Sequence, residues 1–538
     1  MHEPRDADDR DMLPRPAPDR PPETVPPRRR LRRAAAIVAA VLTVAVVAIA
    51  GASAYLWFAA PVNTVGAVAF SRSLAIPPLA DSRVTDDGVR EFDLDLTRGT
   101  ADLGHGPGTE VWGVDGGYLG PTVRAHRDEQ VRVNVTNGLG ETSTLHWHGM
   151  RVPAAMDGGP HQMIADGETW SPQWRIDQPA ATLWYHPHLH GATAEHVYRG
   201  VAGLFLVDDE APGDGLPDRY GIDDVPVIVQ DKNFDGDRLD TGISALSGVG
   251  ILGEEILVNG TPGPYLDVTT QALRLRLLNA STARVYDFGL YDEDGGARPY
   301  EVVATDGGLL EAPVPRERLM LSPGERAEIV VRVDPDDRLV LRSTPPDLGT
   351  DIFHTRFAGG ADSFDVLELR AAGELAPSPP LPPRLRAADP APDDPAEIRR
   401  FALANNRING EAMDMSRIDA VVRAGSTEVW EVTNEDGLPH NFHVHDVQFE
   451  VLGTDDAVLR GRKDTVWIPA GDTRRLLVRF GDHVDPETPY MFHCHILYHE
   501  DAGMMGQFVV VGADDDEPTV IDHEMHDMHG DHGMHGGH

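Results

Sequence analysis

The stretch Tyr490-Met-Phe-His-Cys-His-Ile-Leu-Tyr-His-Glu-Asp-Ala-Gly-Met-Met505 holds the only cysteine in 538 residues, flanked by His493 and His495 and followed by His499 and Met504. Thiolate, imidazole and thioether form the soft, mixed ligand set of a blue copper centre: one Cys, two His and a long axial Met. Cys494, His499 and Met504 supply three of these four, so the fourth is a His from elsewhere in the chain. Side chains alternate faces along a strand. His493 and His495 therefore point away from Cys494 and can hold other metal on the far side, so that one tripeptide joins two metal centres.

A second dense cluster, Pro439-His-Asn-Phe-His-Val-His-Asp446, offers His440 as the fourth ligand and leaves His443 and His445 as an alternating pair. Two more His-x-His pairs lie far upstream, in Leu145-His-Trp-His-Gly149 and Trp184-Tyr-His-Pro-His-Leu-His-Gly191. The eight imidazoles of these four pairs exceed what one mononuclear site accepts, since a transition ion takes roughly four to six ligands. A cluster of several coppers is the economical reading.

These motifs, HWHG, HPHLHG, HNFHVH and HCHILYHEDAGMM in that order from Glu91 to Gly512, resemble the three-domain multicopper oxidases of the bacterial laccase, copper-efflux oxidase and bilirubin oxidase type. The resemblance implies four copper ions. Type 1 copper falls on His440, Cys494, His499 and Met504, and type 2 copper on His146 and His443. The type 3 pair falls on His148, His186, His188, His445, His493 and His495. One local departure is Asn441, where most such proteins carry Pro; it bears on the potential of the type 1 site.

Length and composition bound the rest. A chain of 538 residues exceeds a single hydrophobic core and divides into several domains of roughly 150 residues each. The net charge of −40 favours solubility and cationic partners and disfavours nucleic acid and anionic lipid. A lone cysteine excludes an internal disulfide, so compartment must be read from the N-terminus. There Arg28–Arg33 abuts an uncharged run from Ala34 to Ala60. As a helix that run spans about 40 Å, against about 30 Å of bilayer hydrocarbon. Its basic flank predicts a transmembrane anchor with the bulk of the chain outside the cytoplasm. A signal segment cut near Ala52-Ser-Ala54 is the alternative, and the paired arginines admit twin-arginine export.

The chain also repeats one plan. Gln130-Val-Arg-Val-Asn-Val-Thr-Asn137, two His-x-His pairs and Gly203-Leu-Phe-Leu-Val207 match Thr427-Glu-Val-Trp-Glu-Val-Thr-Asn434, two His-x-His pairs and Gly506-Gln-Phe-Val-Val510. Between them Leu273-Arg-Leu-Arg-Leu-Leu-Asn279 follows the plan without histidines. Such alternation bounded by turn residues reads as an all-β chain. Three consecutive cupredoxin-like Greek-key β-sandwiches are expected at residues 62–212, 213–375 and 396–515. A disordered tail is expected at 1–33, an anchor or signal helix at 34–60, a Pro-rich linker at 376–395 and a His/Met-rich flexible tail at 516–538. His186-Pro-His188 aligns with His493-Cys-His495, so the first unit has Pro where the thiolate should be and only the third can hold blue copper. The multinuclear cluster should lie where the first and third units meet.

The resemblance further implies that a reducing substrate gives up single electrons at the type 1 copper and that Cys494 relays them towards dioxygen, which is reduced to water. Asp157 and Glu500 occupy positions similar to the family's proton-relay acids. His105, His126, His161, His354 and His483 read as ordinary surface or loop residues, His190 and His196 as non-ligands, and Met505 as core packing beside Met504. The tail from His523, interleaved with Met525, Met528 and Met534, reads as a copper-collecting arm. Cu(I), other metal ions and phenols stay open as substrates, with cuprous oxidase activity the lead; the third unit lacks a methionine-rich insertion, which weighs against it. The rival readings are a copper storage or delivery protein and an envelope scaffold like the cell-division relatives that have lost their copper. A monomer is expected.

Overall fold

Three asparagines show that the repeat is built into the structure, a computed structural model that describes residues 27–106, 108–209, 215–244, 246–389, 394–513, 515 and 518. Asn137, Asn279 and Asn434 each end or nearly end a strand: Gln130–Gly138, Ala272–Asn279 and Thr427–Asn434. Each donates through Nδ2 to two backbone carbonyls, those of Glu141 and Ile164, of Arg284 and Leu321, and of Leu438 and Ile468. Each accepts at Oδ1 the amide proton two residues on, from Leu139, Ser281 and Asp436. A buried carboxamide that fills its donor and acceptor capacity in one geometry fixes a turn. The same turn therefore follows the same strand three times.

Each of these strands also runs parallel to an upstream partner, Val89–Ala101, Asp224–Lys232 or Glu397–Ala404. The larger sheets come as six and four strands, seven and seven, then five and five. One apolar cluster fills each pair: Phe92, Leu94, Val123 and Phe205 in the first, Val225, Leu273, Phe288 and Leu339 in the second, Trp430, Phe442, Phe492 and Phe508 in the third. Alternating inward residues of two facing sheets make such a core. The all-β expectation is met, and residues 61–538 form one compact unit. Within it, Arg72–Ser73 pairs in parallel with the strand Pro264–Thr270 of the middle pair, so the chain visits that pair before building the first.

The N-terminal helix, taken by itself, spans Pro27–Ala59. The tail expected to be disordered through residue 33 is thus helical from 27. Pro is favourable in a first turn, and the Arg and Leu residues that follow are good helix formers. Leu31–Ala59 is long and apolar enough to cross a membrane by length and composition. The His/Met-rich stretch from His523 lies outside the described residues.

Strand register places the histidines. His146–His148 runs antiparallel to Ala181–His186, with His146 opposite His186. His440–Val444 runs antiparallel to Asp485–His493, with His443 opposite His493. Each His-x-His pair thereby lies beside another across a ladder.

Candidate metal centre

Around the single cysteine, Cys494 Sγ lies 3.6 Å from His440 Nδ1 and 3.6 Å from His499 Nδ1, and the two nitrogens are 3.1 Å apart. His440 comes from a strand, Cys494 directly follows one, and His499 sits in the short helix Leu497–Asp501. The far nitrogens are engaged: His499 Nε2 donates to the Gly248 carbonyl at 2.9 Å, and His440 Nε2 lies 3.1 Å from Asp436 Oδ1. Both Nδ1 atoms therefore face the sulfur. Met504 is fully buried in the apolar cluster that holds Cys494, and its carbonyl accepts the Cys494 amide proton at 3.1 Å.

Burial pushes the Cys494 thiol up, but hydrogen bonds from His440 and His499 outweigh it and bring it down to about 5. Burial likewise lowers His440, and Asp436 together with Cys494 raises it to about 9. The site thus holds a thiolate, the form of cysteine that binds metal.

Eight further imidazoles, all buried, gather into one cluster. Three groups bring their ligand atoms within 4.8 Å of one another: His146, His148 and His443; His148, His186 and His495; His188, His445 and His493. The first and third pairs of sheets contribute four histidines each, as the two-region spacing predicts. His188 Nε2 is 3.1 Å and His445 Nε2 3.3 Å from His493 Nε2.

In six of the eight the outer nitrogen lies against an oxygen. Nδ1 of His146, His186 and His443 donates to the carbonyls of Asp157, Pro187 and Asp464 at 2.8 to 2.9 Å. His445 Nδ1 is 2.7 Å from Asp157 Oδ2, and His493 Nδ1 is 3.1 Å from Glu500 Oε2. His148 is reversed, with Nε2 at 3.1 Å from Asp464 Oδ1. Oxygen acceptors of this kind fix the imidazole tautomer and leave a lone pair directed inward. Nε2 of His146 and of His443 and both ring nitrogens of His495 are buried without a hydrogen-bond partner among the described residues. Buried polar atoms are otherwise nearly always satisfied, and a converging set of neutral imidazole lone pairs is the donor set for copper.

Burial among other imidazoles pushes His148, His186, His188, His443 and His495 well down, and His445 to about 3, which keeps them neutral. Burial alone would raise Asp157 and Glu500; the adjoining His445 and His146, and His188 and His493, hold both carboxyls well below the usual range. Both acids therefore stand ionised behind the cluster's imidazoles.

All twelve residues singled out in sequence are buried, and eleven gather into these two sites by their ligand atoms. His196 is buried outside them, bonded to Ser143 and Glu141, and His190 is exposed. Sequence reasoning missed Asp436, four residues before His440, and Asp464, which binds His148 with its side chain and His443 with its carbonyl. It also missed Arg326, which grips Asp464 from the middle pair. Asp464 lies in Lys463-Asp-Thr465 with no spacing to mark it; Asp436 at least precedes a candidate ligand by one short turn.

Two family models described as multicopper oxidase match residues 95–212 and 377–514. The cell division protein FtsP of Escherichia coli is 36% identical over 448 residues, covering 81% of this chain and 92% of its own length. Among solved structures, the laccase-like multicopper oxidase CueO from Ochrobactrum sp. is 35% identical with a TM-score of 0.72, over 81% of this chain and all of that one. The multicopper oxidase McoA from Aquifex aeolicus is 32% identical with a TM-score of 0.74, over 82% of this chain and 99% of that one.

Proposed function

Because the chain belongs to the multicopper oxidase family, we propose that it is a working oxidase, taking single electrons from a reducing substrate and passing them to dioxygen. The observation that carries this is the joint presence of a buried Cys-His-His site and three buried histidine groups, joined through His493-Cys-His495. His440, Cys494, His499 and Met504 would hold type 1 copper, His146 and His443 type 2, and His148, His186, His188, His445, His493 and His495 the type 3 pair. Four copper ions so bound would supply one-electron acceptance at the sulfur and four-electron reduction of dioxygen to water in the histidine cluster.

The chain's own groups do the rest. The Cys494 backbone and side chain form the covalent link between the two sites. Asp157 and Glu500 hold the outer faces of the ligand imidazoles, and we assign them proton handling as well. Asp157 Oδ1, 3.4 Å from His146 Nδ1, and both carboxylate oxygens of Glu500 have no hydrogen-bond partner among the described residues and can accept a proton.

The substrate is read from the edge of the sulfur site. The Asp436 carboxylate touches His440 and is partly exposed. Beside it, a Cβ on Gly437 would meet His354 at 3.2 Å and Asp351 Oδ2 at 4.0 Å. Burial would raise Asp436, but its bond to His440 brings it down to about 2, so it is ionised. The Asp436 carboxylate on His440, with Asp351 and His354 beside the next residue and a net charge of −40 on the chain, favours a metal cation such as Cu(I) over a phenol. The apolar N-terminal helix supports a chain held at the outer face of the cell membrane.

The test is oxygen uptake by the copper-loaded full chain with Cu(I) and with a phenol, repeated without residues 520–538 and with Cys494→Ser. Uptake faster with Cu(I) and abolished by Cys494→Ser is expected; turnover unaffected by that substitution ends the oxidase reading. The similarity to proteins named for cell division gives a second reading, a structural role in the envelope. A chain that stays colourless after copper loading would favour it.

A further inference from the structure

Asn441 stands between the two metal sites and reaches a third part of the molecule. Its Nδ2 donates to Ser322 Oγ at 3.0 Å and to the Pro323 carbonyl at 2.8 Å, both on a turn of the middle pair of sheets. Its Oδ1 accepts the His495 amide proton at 2.7 Å. A carbonyl can only accept and a backbone amide can only donate, so these partners fix which end of the carboxamide is oxygen. That oxygen lies 3.5 Å from Cys494 Sγ. All the side chains involved are buried.

On the same turn Gly324, at φ +85°, backs onto His495, where an added Cβ would come within 3.0 Å of the ring. Only glycine combines that backbone conformation with so close an approach. The turn Ser322-Pro-Gly324 therefore presses on the ring of His495 while its Asn441 contacts hold the His495 amide.

We propose that Asn441 is a positioning residue that clamps the Cys494–His495 peptide to the middle pair of sheets and, through Oδ1, lowers the reduction potential of the copper held by Cys494. A thiol can donate its proton to this oxygen. A metal-bound thiolate cannot, and then faces the negative end of a fixed dipole in a fully buried site, where such charges act strongly. Added electron density at the sulfur is disfavoured, and hydrogen bonding around a copper-bound cysteine is a recognised control of potential. The inference rests on the oxidase reading, since it needs the blue centre to form.

The test is a redox titration of the copper-loaded full chain, following the blue copper–thiolate absorption against a mediator. Asn441→Ala and Asn441→Ser both remove Oδ1 from the sulfur. At a fixed mediator poise each is expected to raise the reduced-to-oxidised ratio about tenfold, equal to about 59 mV for one electron. Ser322→Ala leaves Oδ1 on the His495 amide and Nδ2 on the Pro323 carbonyl, and is expected to shift the ratio far less. If Asn441→Ala does not fold, Asn441→Ser carries the same reading with a smaller disturbance. An unchanged ratio in a blue variant overturns the proposal. So does a variant that keeps its native circular dichroism but loses the blue band, for Asn441 would then build the site and not tune it. A wild-type chain that stays colourless sinks the oxidase reading and this inference together; a blue wild type with unshifted variants sinks this inference alone.

Discussion

The two terminal nitrogens of Arg326 lie 2.7 Å from the two carboxylate oxygens of Asp464, one to each. The remaining N–H groups of the guanidinium reach the carbonyls of Thr182, Gly324 and Asp306, so all five donors are used in a place with no exposure. Asp464 in turn binds His148 and His443. A pair this deep is costly to break from one side, because the charge left behind stays buried. Arg326→Leu is expected to destabilise the copper-free protein by about 3–5 kcal/mol, read from urea unfolding. Arg326→Lys, with three donors and no planar fork, should recover only part of that loss.

Asp157 acts one layer out from the histidine cluster. Its carboxylate is 2.7 Å from His445 Nδ1, and its carbonyl takes the Nδ1 proton of His146. Asp157→Ala removes the first contact and keeps the second, so His445 loses its fixed tautomer while His146 retains its own. Outer partners of this kind are worth about 10- to 100-fold in metal affinity. Competition with a chelator should show copper retention falling by that factor, with the blue band at Cys494 preserved. Loss of the blue band and retention of the remaining copper would contradict the assignment of Asp157 to the histidine cluster.

The grouping of these histidines and the cysteine was legible in sequence because strand alternation and a cysteine between two histidines are local signals: His146, His148 and His443 needed only their own strands to be read. Asn137, Asn279 and Asn434 were legible as the repeat's common end, although their carboxamide bonds were not. Of the shell behind them, Asp157 and Glu500 were read from the sequence, whereas Arg326, Asp464 and the bonds of Asn441 were not, because they are defined by partners from other units. Arg326 and Asp464 are 138 residues apart, and Asn441 meets Ser322 across 119. Neither end of such a contact carries a pattern of its own. The helix start at Pro27 was missed for a different reason: charge and proline content outweighed helix propensity in the reading of residues 27–33.

Glu328 joins the first and middle pairs of sheets. Its carboxylate accepts from Thr182 Oγ1 at 2.6 Å, from Arg276 at 2.9 Å and from Arg274 Nε at 2.8 Å. Burial would raise its pKa, but the two guanidinium charges outweigh burial and bring it from 4.5 to about 2. A carboxyl depressed on folding stabilises the protein above its unfolded value and loses that contribution as pH falls through its folded value. The window therefore runs from about pH 4.5 down to about 2, and the contribution is on the order of 3 kcal/mol. Glu328→Gln should lower stability at pH 7 and flatten the acid limb of a plot of unfolding free energy against pH. An acid limb identical to wild type would show that Glu328 does not carry the linkage.

The helix Pro27–Ala59 exposes Ile37, Val38, Val41, Val44, Tyr55 and Phe58 at 58% or more of their surface. Burying side chains of this size is worth about 1.5–3 kcal/mol each. A helix apolar all round calls for a lipid or protein environment, and a length of about 44 Å for 29 residues exceeds the hydrocarbon core. Removal of residues 1–60 should leave residues 61–538 folded, since they form a compact unit of their own. The truncated chain is expected in the soluble fraction and the full chain in the membrane fraction after high-salt washing, which strips surface-bound protein. N-terminal sequencing of the membrane-bound form separates the two origins of such a segment. An intact leader supports the anchor, whereas a new terminus near Ala54 would mean that the helix is a cleaved signal and that the mature protein is released.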